Sequence, residues 1–238
     1  MKLHLLGVNG PFPESRGATS GYLLEAGNSL FQFDLGSGVL SALTALTAPE
    51  SLTALFISHW HFDHAADVPV LMYRLEACGK TLPVYGPSDP SSLLYNTVIS
   101  ASCFSFSEVS PGSTLVLDTA HIHVTAARHP VPAVGYRVSQ DGKSFGYTGD
   151  TNTLPSLAGD FRKCDLLLAD GLFPQECWSE AKPHLSALLA ASLAAETEAG
   201  ALIVTHLNPV YPRNLLLEQA RSVYPDAKLA ESGAVIII

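Results

Sequence analysis

The first sixty residues carry short blocks of alternating or continuous apolar positions separated by Gly, Pro and Asn, so segments 2–8, 20–26 and 29–35 read as β-strands. Segment 52–58, LTALFIS, is almost wholly apolar, the pattern of a strand buried on both faces. A helix is predicted over 67–77, closed by Gly79, and a second helical stretch near 89–101 has Ser88 as its N-cap. Strands at 82–85, 113–118, 121–127 and 133–139 surround that stretch, and Asp141-Gly142 between two of the apolar runs predicts a two-residue hairpin turn. Farther on, strands at 165–169 and 201–205 flank a helix over 184–199 that ends at Gly200. A last helix near 213–223 starts after Pro212, and GAVIII is a closing strand.

Strand clusters with helices interspersed in each half suggest two sheets face to face with helices outside. No linker, charge block or composition break divides residues 1–238, which therefore read as one domain, and direct comparison of the letters reveals no repeat. Charged residues are only 15% of the chain, where about 25% is usual, and so thin a supply of surface charge points to a covered subunit interface, hence a homodimer. Thirteen Lys and Arg against twenty-two Asp and Glu leave a net charge of −9, which repels phosphate backbones and disfavours broad nucleic-acid binding. The four cysteines form no CxxC pair and no disulfide pattern, as expected of reduced thiols in a cytoplasm. The first thirteen residues are too short and broken for a secretion signal, and the Ala/Leu-rich run 185–195 is too short to span a bilayer. A soluble protein with no membrane partner is expected.

Chemistry concentrates in His59-Trp60-His61-Phe62-Asp63-His64, directly after the buried strand 52–58. An HxHxDH string arises by chance in a shuffled chain of this composition with probability on the order of one in a thousand. In a loop leaving a strand, His59 and His61 can converge on one metal while Asp63 and His64 turn toward a second; neutral imidazole and carboxylate suit borderline divalent ions. Two ions need more donors, and His129, Asp150 and His206 each follow or end a strand, where loop residues gather. Each also has a plainer reading, as a polar residue at a strand end or, for Asp150, a turn residue. His121 and His123 form an HxH pair but lack a companion carboxylate and are read, with His4, as solvated strand-face residues. Trp60 and Phe62 either wall a pocket or pack under the loop, and Arg16 either meets an anionic substrate or stays solvated.

HxHxDH, then a lone His, then GDT and THLNP, resembles the metallo-β-lactamase fold. DLLLADGLF and KPHLSALLAA are similar to segments of its ribonuclease Z-like branch, in a short form without an RNA-gripping arm. The resemblance implies an α/β, four-layer αββα sandwich and a metal-dependent hydrolase. It implies His59, His61 and His129 on one ion, Asp63, His64 and His206 on the other, and Asp150 bridging, with Asp34 supporting the metal loop from behind. The cofactors implied are two divalent ions holding a bridging hydroxide, with zinc the default and manganese, iron or nickel also accepted by these ligand types. Asp63, His184 and Asp170 are the candidate catalytic residues: Asp63 is also a ligand, and His184, opening the helix 184–199, would protonate a leaving oxygen while Asp170 fixes its tautomer. His184 has a plainer reading as a helix cap, and Asp170 as a turn residue beside Gly171.

Transfer-RNA-processing relatives carry their arm between the positions of His129 and Asp150, whereas here only twenty residues separate the two and a hairpin consumes them. With the negative net charge, this argues for a small-molecule substrate and against transfer-RNA 3′ processing. The leading expectation is a phosphodiesterase acting on a small, cyclic phosphodiester. Lactone or thioester hydrolysis is the alternative, with Tyr147 or Tyr211 as the residue that would reach a carbonyl oxygen, and a metal-binding module without turnover comes last.

Overall fold

The computed structural model describes all residues, 1–238, and they fall into two compact units, Met1–Val109 with Glu231–Ile237, and Ser110–Ala230 with Ile238. No helix is long and apolar enough to cross a membrane.

The first unit is one seven-stranded sheet: β1 (Lys2–Gly7), β2 (Gly21–Ala26), β3 (Ser29–Phe33), β4 (Ala54–Phe56), β5 (Leu82–Gly86), β6 (Phe104–Glu108) and, from the far end of the chain, β14 (Val235–Ile237). β14, β1, β2 and β3 pair antiparallel, and β3 to β6 pair parallel. Parallel neighbours need crossovers, supplied by α1 (Val39–Thr44), α2 (Phe62–Ala65) with α3 (Val68–Cys78), and α4 (Leu93–Ser100). α3 ends as expected at Gly79, whose φ of 62° favours glycine. The cap of α4 is Ser92 rather than Ser88: its hydroxyl accepts from the Tyr95 amide, while Ser88 lies against the Tyr95 hydroxyl. Val68, Leu71 and Leu75 of α3 and Val98 of α4 pack on Leu55 and Val84 of the sheet.

The second unit repeats the scheme. Its sheet contains β7 (Thr114–Leu117), β8 (Ala120–Ala126), β9 (Val134–Gln140), β10 (Lys143–Tyr147), β11 (Leu166–Asp170), β12 (Leu202–Thr205) and β13 (Lys228–Leu229). β7 to β10 pair antiparallel and β10 to β13 parallel. The crossovers are α5 (Leu157–Asp160), α6 (Ala187–Glu196) and α7 (Arg213–Arg221). The β9–β10 turn puts Asp141 and Gly142 at φ 52° and 73°, as the expected hairpin demands. β11 and β12 are buried throughout, the mark of parallel strands covered on both faces.

α6 starts three residues later than the sequence suggests. Ser186 caps it by accepting from the Leu189 amide, so His184 neither opens nor caps the helix but lies in the segment that enters it. His4 is also corrected: it is buried, its Nε2 against Glu25. β6, β13, α1, α2 and α5 fall outside the sequence expectation, being short or lacking a clear period.

Candidate functional site

In the first unit β3 is followed by Asp34-Leu35-Gly36, and Asp34 adopts φ 52°. Its carboxylate is fully buried and accepts from the Ser58 amide (2.7 Å) and the Ser58 hydroxyl (2.8 Å), with His64 Nδ1 2.7 Å from Oδ2. The backbone of the motif is gripped as well: the Leu35 amide of this turn donates to the His64 carbonyl at 2.7 Å, and the Ser20 amide, just before β2, to that of Asp63 at 3.1 Å. Gly36 has no alternative, because a Cβ there would lie 2.1 Å from the Asp63 carbonyl oxygen. Asp34 thus braces the loop from behind, as expected.

On this brace the four candidates converge. His59 and His64 are fully buried, with ring centroids 4.1 Å apart, and His59 Nε2 lies 2.9 Å from His61 Nδ1. Two nitrogens on one tetrahedral zinc, each at about 2.0–2.1 Å, sit about 3.3 Å apart, so this pair fits a shared ion. Ser58 Oγ stands 3.1 Å from His59 Nδ1, and Asp34 occupies His64 Nδ1, which leaves the Nε2 atoms to point onward. Asp63 Oδ2 is 3.7 Å from His64 Nε2. Trp60 packs inward, its indole donating to Pro87 and its ring edge-on to Tyr95, whereas Phe62 is 66% exposed.

In the second unit the candidates arrive on four separate loops. His129 follows β8, Asp150 follows β10, Asp170 ends β11 with His184 on the segment after it, and His206 follows β12 in the left-handed region at φ 57°. His206 Nε2 lies 3.4 Å from Asp150 Oδ2, and the His184 ring stacks on His206 at 5.0 Å and meets His129 edge-on at 5.3 Å. One donor atom each of His129, Asp150 and His184 falls within 4.8 Å of the others, so these three can hold a cation. Carboxylate and imidazole donors of this kind, nearly all buried, are the chemistry a divalent ion requires.

Asp170 Oδ2 lies 2.9 Å from His184 Nδ1 and accepts from the Thr151 amide, while Oδ1 accepts from Leu172. An aspartate suffices here because β11 ends directly beside the imidazole. Burial pushes the Asp170 carboxyl up to about 6, against the opposing pull of the His184 charge and hydrogen bond. Around this pair lie residues the sequence did not single out: Asn152, Arg128, Trp178 and Thr151. Thr151 and Asn152 had a local signal, their place in the GDTN turn. A pocket of about 230 Å³ opens beside His129, with Arg128 and Lys182 in its wall. His121 and His123 stay on the exposed side of β8, Arg16 is exposed, and Tyr147 is buried in β10.

A model of the β-lactamase superfamily domain matches residues 20–207. A probable metallo-hydrolase of Bacillus subtilis, YhfI, is 30% identical, over 99% of both chains. The crystal structure of YhfI, a metallo-β-lactamase fold protein, superimposes with a TM-score of 0.93 at 29% identity, over 99% of this chain and 98% of that one. A ribonuclease Z of Methanosarcina mazei is 23% identical over 97% of this chain and 96% of its own. The crystal structure of a diphosphatase of the PhnP family shares the fold, with a TM-score of 0.77 at 18% identity, over 100% of this chain and 97% of that one. The chain belongs to the β-lactamase superfamily. It has the metallo-β-lactamase fold in its ribonuclease Z-like form, α/β with two mixed sheets flanked by helices, and is a metal-dependent hydrolase.

Proposed function

We propose that the two units act as one catalytic domain, a phosphodiesterase that hydrolyses a small, cyclic phosphodiester with two divalent ions. His59, His61 and His129 would hold one ion and Asp63, His64 and His206 the other, with Asp150 between them, as the order of these residues along the chain and the family membership suggest. Bound ions of this kind supply Lewis acidity and lower the pKa of water toward neutrality. Zinc is the default, and manganese, iron or nickel suit the same donors. Asp34 and Ser58 hold the imidazoles of the motif in place. The pocket beside His129 offers Arg128 and Lys182 to an anionic substrate.

The observation that carries the reading is the Asp170–His184 pair, 2.9 Å apart beside Asp150. Asp170 keeps the proton on Nδ1 and so orients the ring, and protonated His184 can give its Nε2 proton to a departing alkoxide, which phosphodiester hydrolysis requires. Residues 130–149 are taken up by the β9–β10 hairpin and its flanks, leaving no segment to grip transfer RNA. A homodimer fits the apolar Val70 and Tyr73 exposed on α3, and free cysteines fit a reducing cytoplasm.

Lactone or thioester hydrolysis is the second reading. It rests on Tyr211, which packs on Phe173, itself edge-on to His184. One experiment separates the two: metal analysis of the purified protein, then parallel assays on bis(p-nitrophenyl) phosphate, a cyclic phosphodiester and an acyl-homoserine lactone. Two ions per chain and phosphodiester turnover that His61→Ala abolishes are expected. Turnover of the lactone alone transfers the site to the second reading, and no metal-dependent turnover of any of the three overturns both.

A further inference from the structure

His184 sits on a strap, residues 171–186, whose regular structure is limited to the short 3-10 turn Gln175–Cys177 and a single bridge between Phe173 and Ser186, and whose Glu176, Cys177 and residues 179–182 are exposed. Such a segment is the kind that opens first in a folded protein. Yet it must deliver the His184 imidazole to Asp170 and set the Pro183 carbonyl 3.2 Å from His129 Nδ1.

The strap's polar groups converge on one fully buried side chain, Asn152. Its Nδ2 donates to the carbonyls of Lys182 (2.6 Å) and Ser179 (3.1 Å) and reaches toward that of Glu180. Its Oδ1 accepts from the Trp178 indole (3.2 Å) and the Thr153 amide (2.6 Å). The orientation of the amide is fixed, since a flip would set carbonyls against Oδ1 and N–H donors against Nδ2. The Trp178 indole also donates to the His184 carbonyl, and Arg128 reaches the Glu180 carbonyl while its own carbonyl accepts from the Asn152 amide.

We propose that Asn152 is a positioning residue: by tying Trp178, Ser179 and Lys182 to the turn that carries Asp150, it fixes the strap that holds His184 in register with Asp170. The consequence for turnover rests on the reading of His184 as proton donor, but the clamp itself does not. Aspartate could not replace it, because a carboxylate has no donor for the Lys182 and Ser179 carbonyls.

The test uses metal-loaded full-length protein and two aryl phosphodiesters, one leaving p-nitrophenolate and one leaving phenolate. A good leaving group needs no proton, so displacing His184 should fall on the poor one. Asn152→Ala and Asn152→Ser are expected to lose about 10–100-fold in kcat on the phenyl ester, with KM and p-nitrophenyl turnover changed about threefold or less. His184→Ala is expected to lose more on the phenyl ester than on the p-nitrophenyl ester, and Asn152→Ala/His184→Ala to be no slower than His184→Ala alone. Equal losses on both esters, or additive losses in the double variant, overturn the positioning role. A readout independent of activity is the indole N–H resonance of the two tryptophans: Asn152→Ser should shift that of Trp178 and leave that of Trp60 in place. Cleavage after Glu180 by a glutamate-specific protease should accelerate in parallel. An unmoved Trp178 resonance with unchanged cleavage overturns the clamp whatever the activity. Wild-type protein inert on both esters, with a shifted resonance and faster cleavage in the variant, overturns the phosphodiesterase reading and leaves the clamp standing.

Discussion

Both units change from antiparallel to parallel pairing at one strand, β3 in the first and β10 in the second, and an aspartate follows that strand in each. Asp34 is spent on its own unit, its carboxylate consumed by Ser58 and His64. Asp150 instead stands within 3.4 Å of His206 and 3.7 Å of His184. The neighbouring strands differ in the same way: the loop after β4 delivers four candidate donors within six residues, whereas the second unit assembles its donors from four loops spread over 78 positions, His129 to His206. A dense motif can be braced by one buried acid. A dispersed site needs its loops tied to one another: Thr151, Asn152 and Arg128 link the turn after β10 to Asp170 and to the segment that carries His184, where Asp34 and Ser58 serve the motif of the first unit.

The most direct way to break this contrast is Asp34→Ala. It strips the buried Ser58 amide, Ser58 hydroxyl and His64 of their acceptor, and should lower stability by on the order of 3–5 kcal/mol in a denaturant titration. A loss below about 1 kcal/mol would mean that the brace is not what holds the motif. Metal removal comes next. If ions bind only the folded chain, saturation a thousandfold above Kd stabilises by about 4 kcal/mol, and chelation should lower Tm accordingly. His64→Ala and His206→Ala should each shrink that chelation shift, and an undiminished shift in either variant removes that residue from the proposed ligand set. Asp170→Asn should cost about 10–100-fold in kcat and about 1–3 kcal/mol of stability, since it keeps the volume but loses the charge that orients His184 and turns an amide nitrogen toward the Thr151 or Leu172 N–H.

This asymmetry also explains what the letters revealed. The candidate donors were legible because imidazoles and carboxylates at strand ends are rare and carry their chemistry in their identity; HWHFDH needed no structure to be noticed. Asn152 and Trp178 were not, because a carboxamide and an indole acquire their role from the groups they meet, and those that Asn152 meets at Trp178, Ser179 and Lys182 lie 26 to 30 positions away. The repeated sheet topology was hidden for a related reason. Pairing is set by burial and crossover geometry, and two unlike sequences such as SLFQF and KSFGY satisfy the same place in the order. His4 was misjudged because alternation assigns a face, while Glu25 on the neighbouring strand decides what that face accommodates.

The smallest effect is one of pH, and its sign differs between the units. In the second, burial raises Asp170 to about 6 from an ordinary 3.8 despite His184. The folded state therefore holds this proton more tightly than the unfolded chain does, so the contribution is fully present below pH 3.8 and is lost as pH rises through about 6. In the first, the Arg74 guanidinium lowers Glu50 from 4.5 to about 2 through its hydrogen bonds, and that exposed pair contributes above pH 4.5 and fades as pH falls toward 2. Tm measured on metal-free protein from pH 3 to 7 should thus show wild type losing ground to Asp170→Asn between about pH 4 and 6. Against Arg74→Ala, wild type should lose a smaller, salt-sensitive advantage only on the acid side. If wild type instead gains on Asp170→Asn as pH rises through that window, the charge of His184 outweighs burial at Asp170.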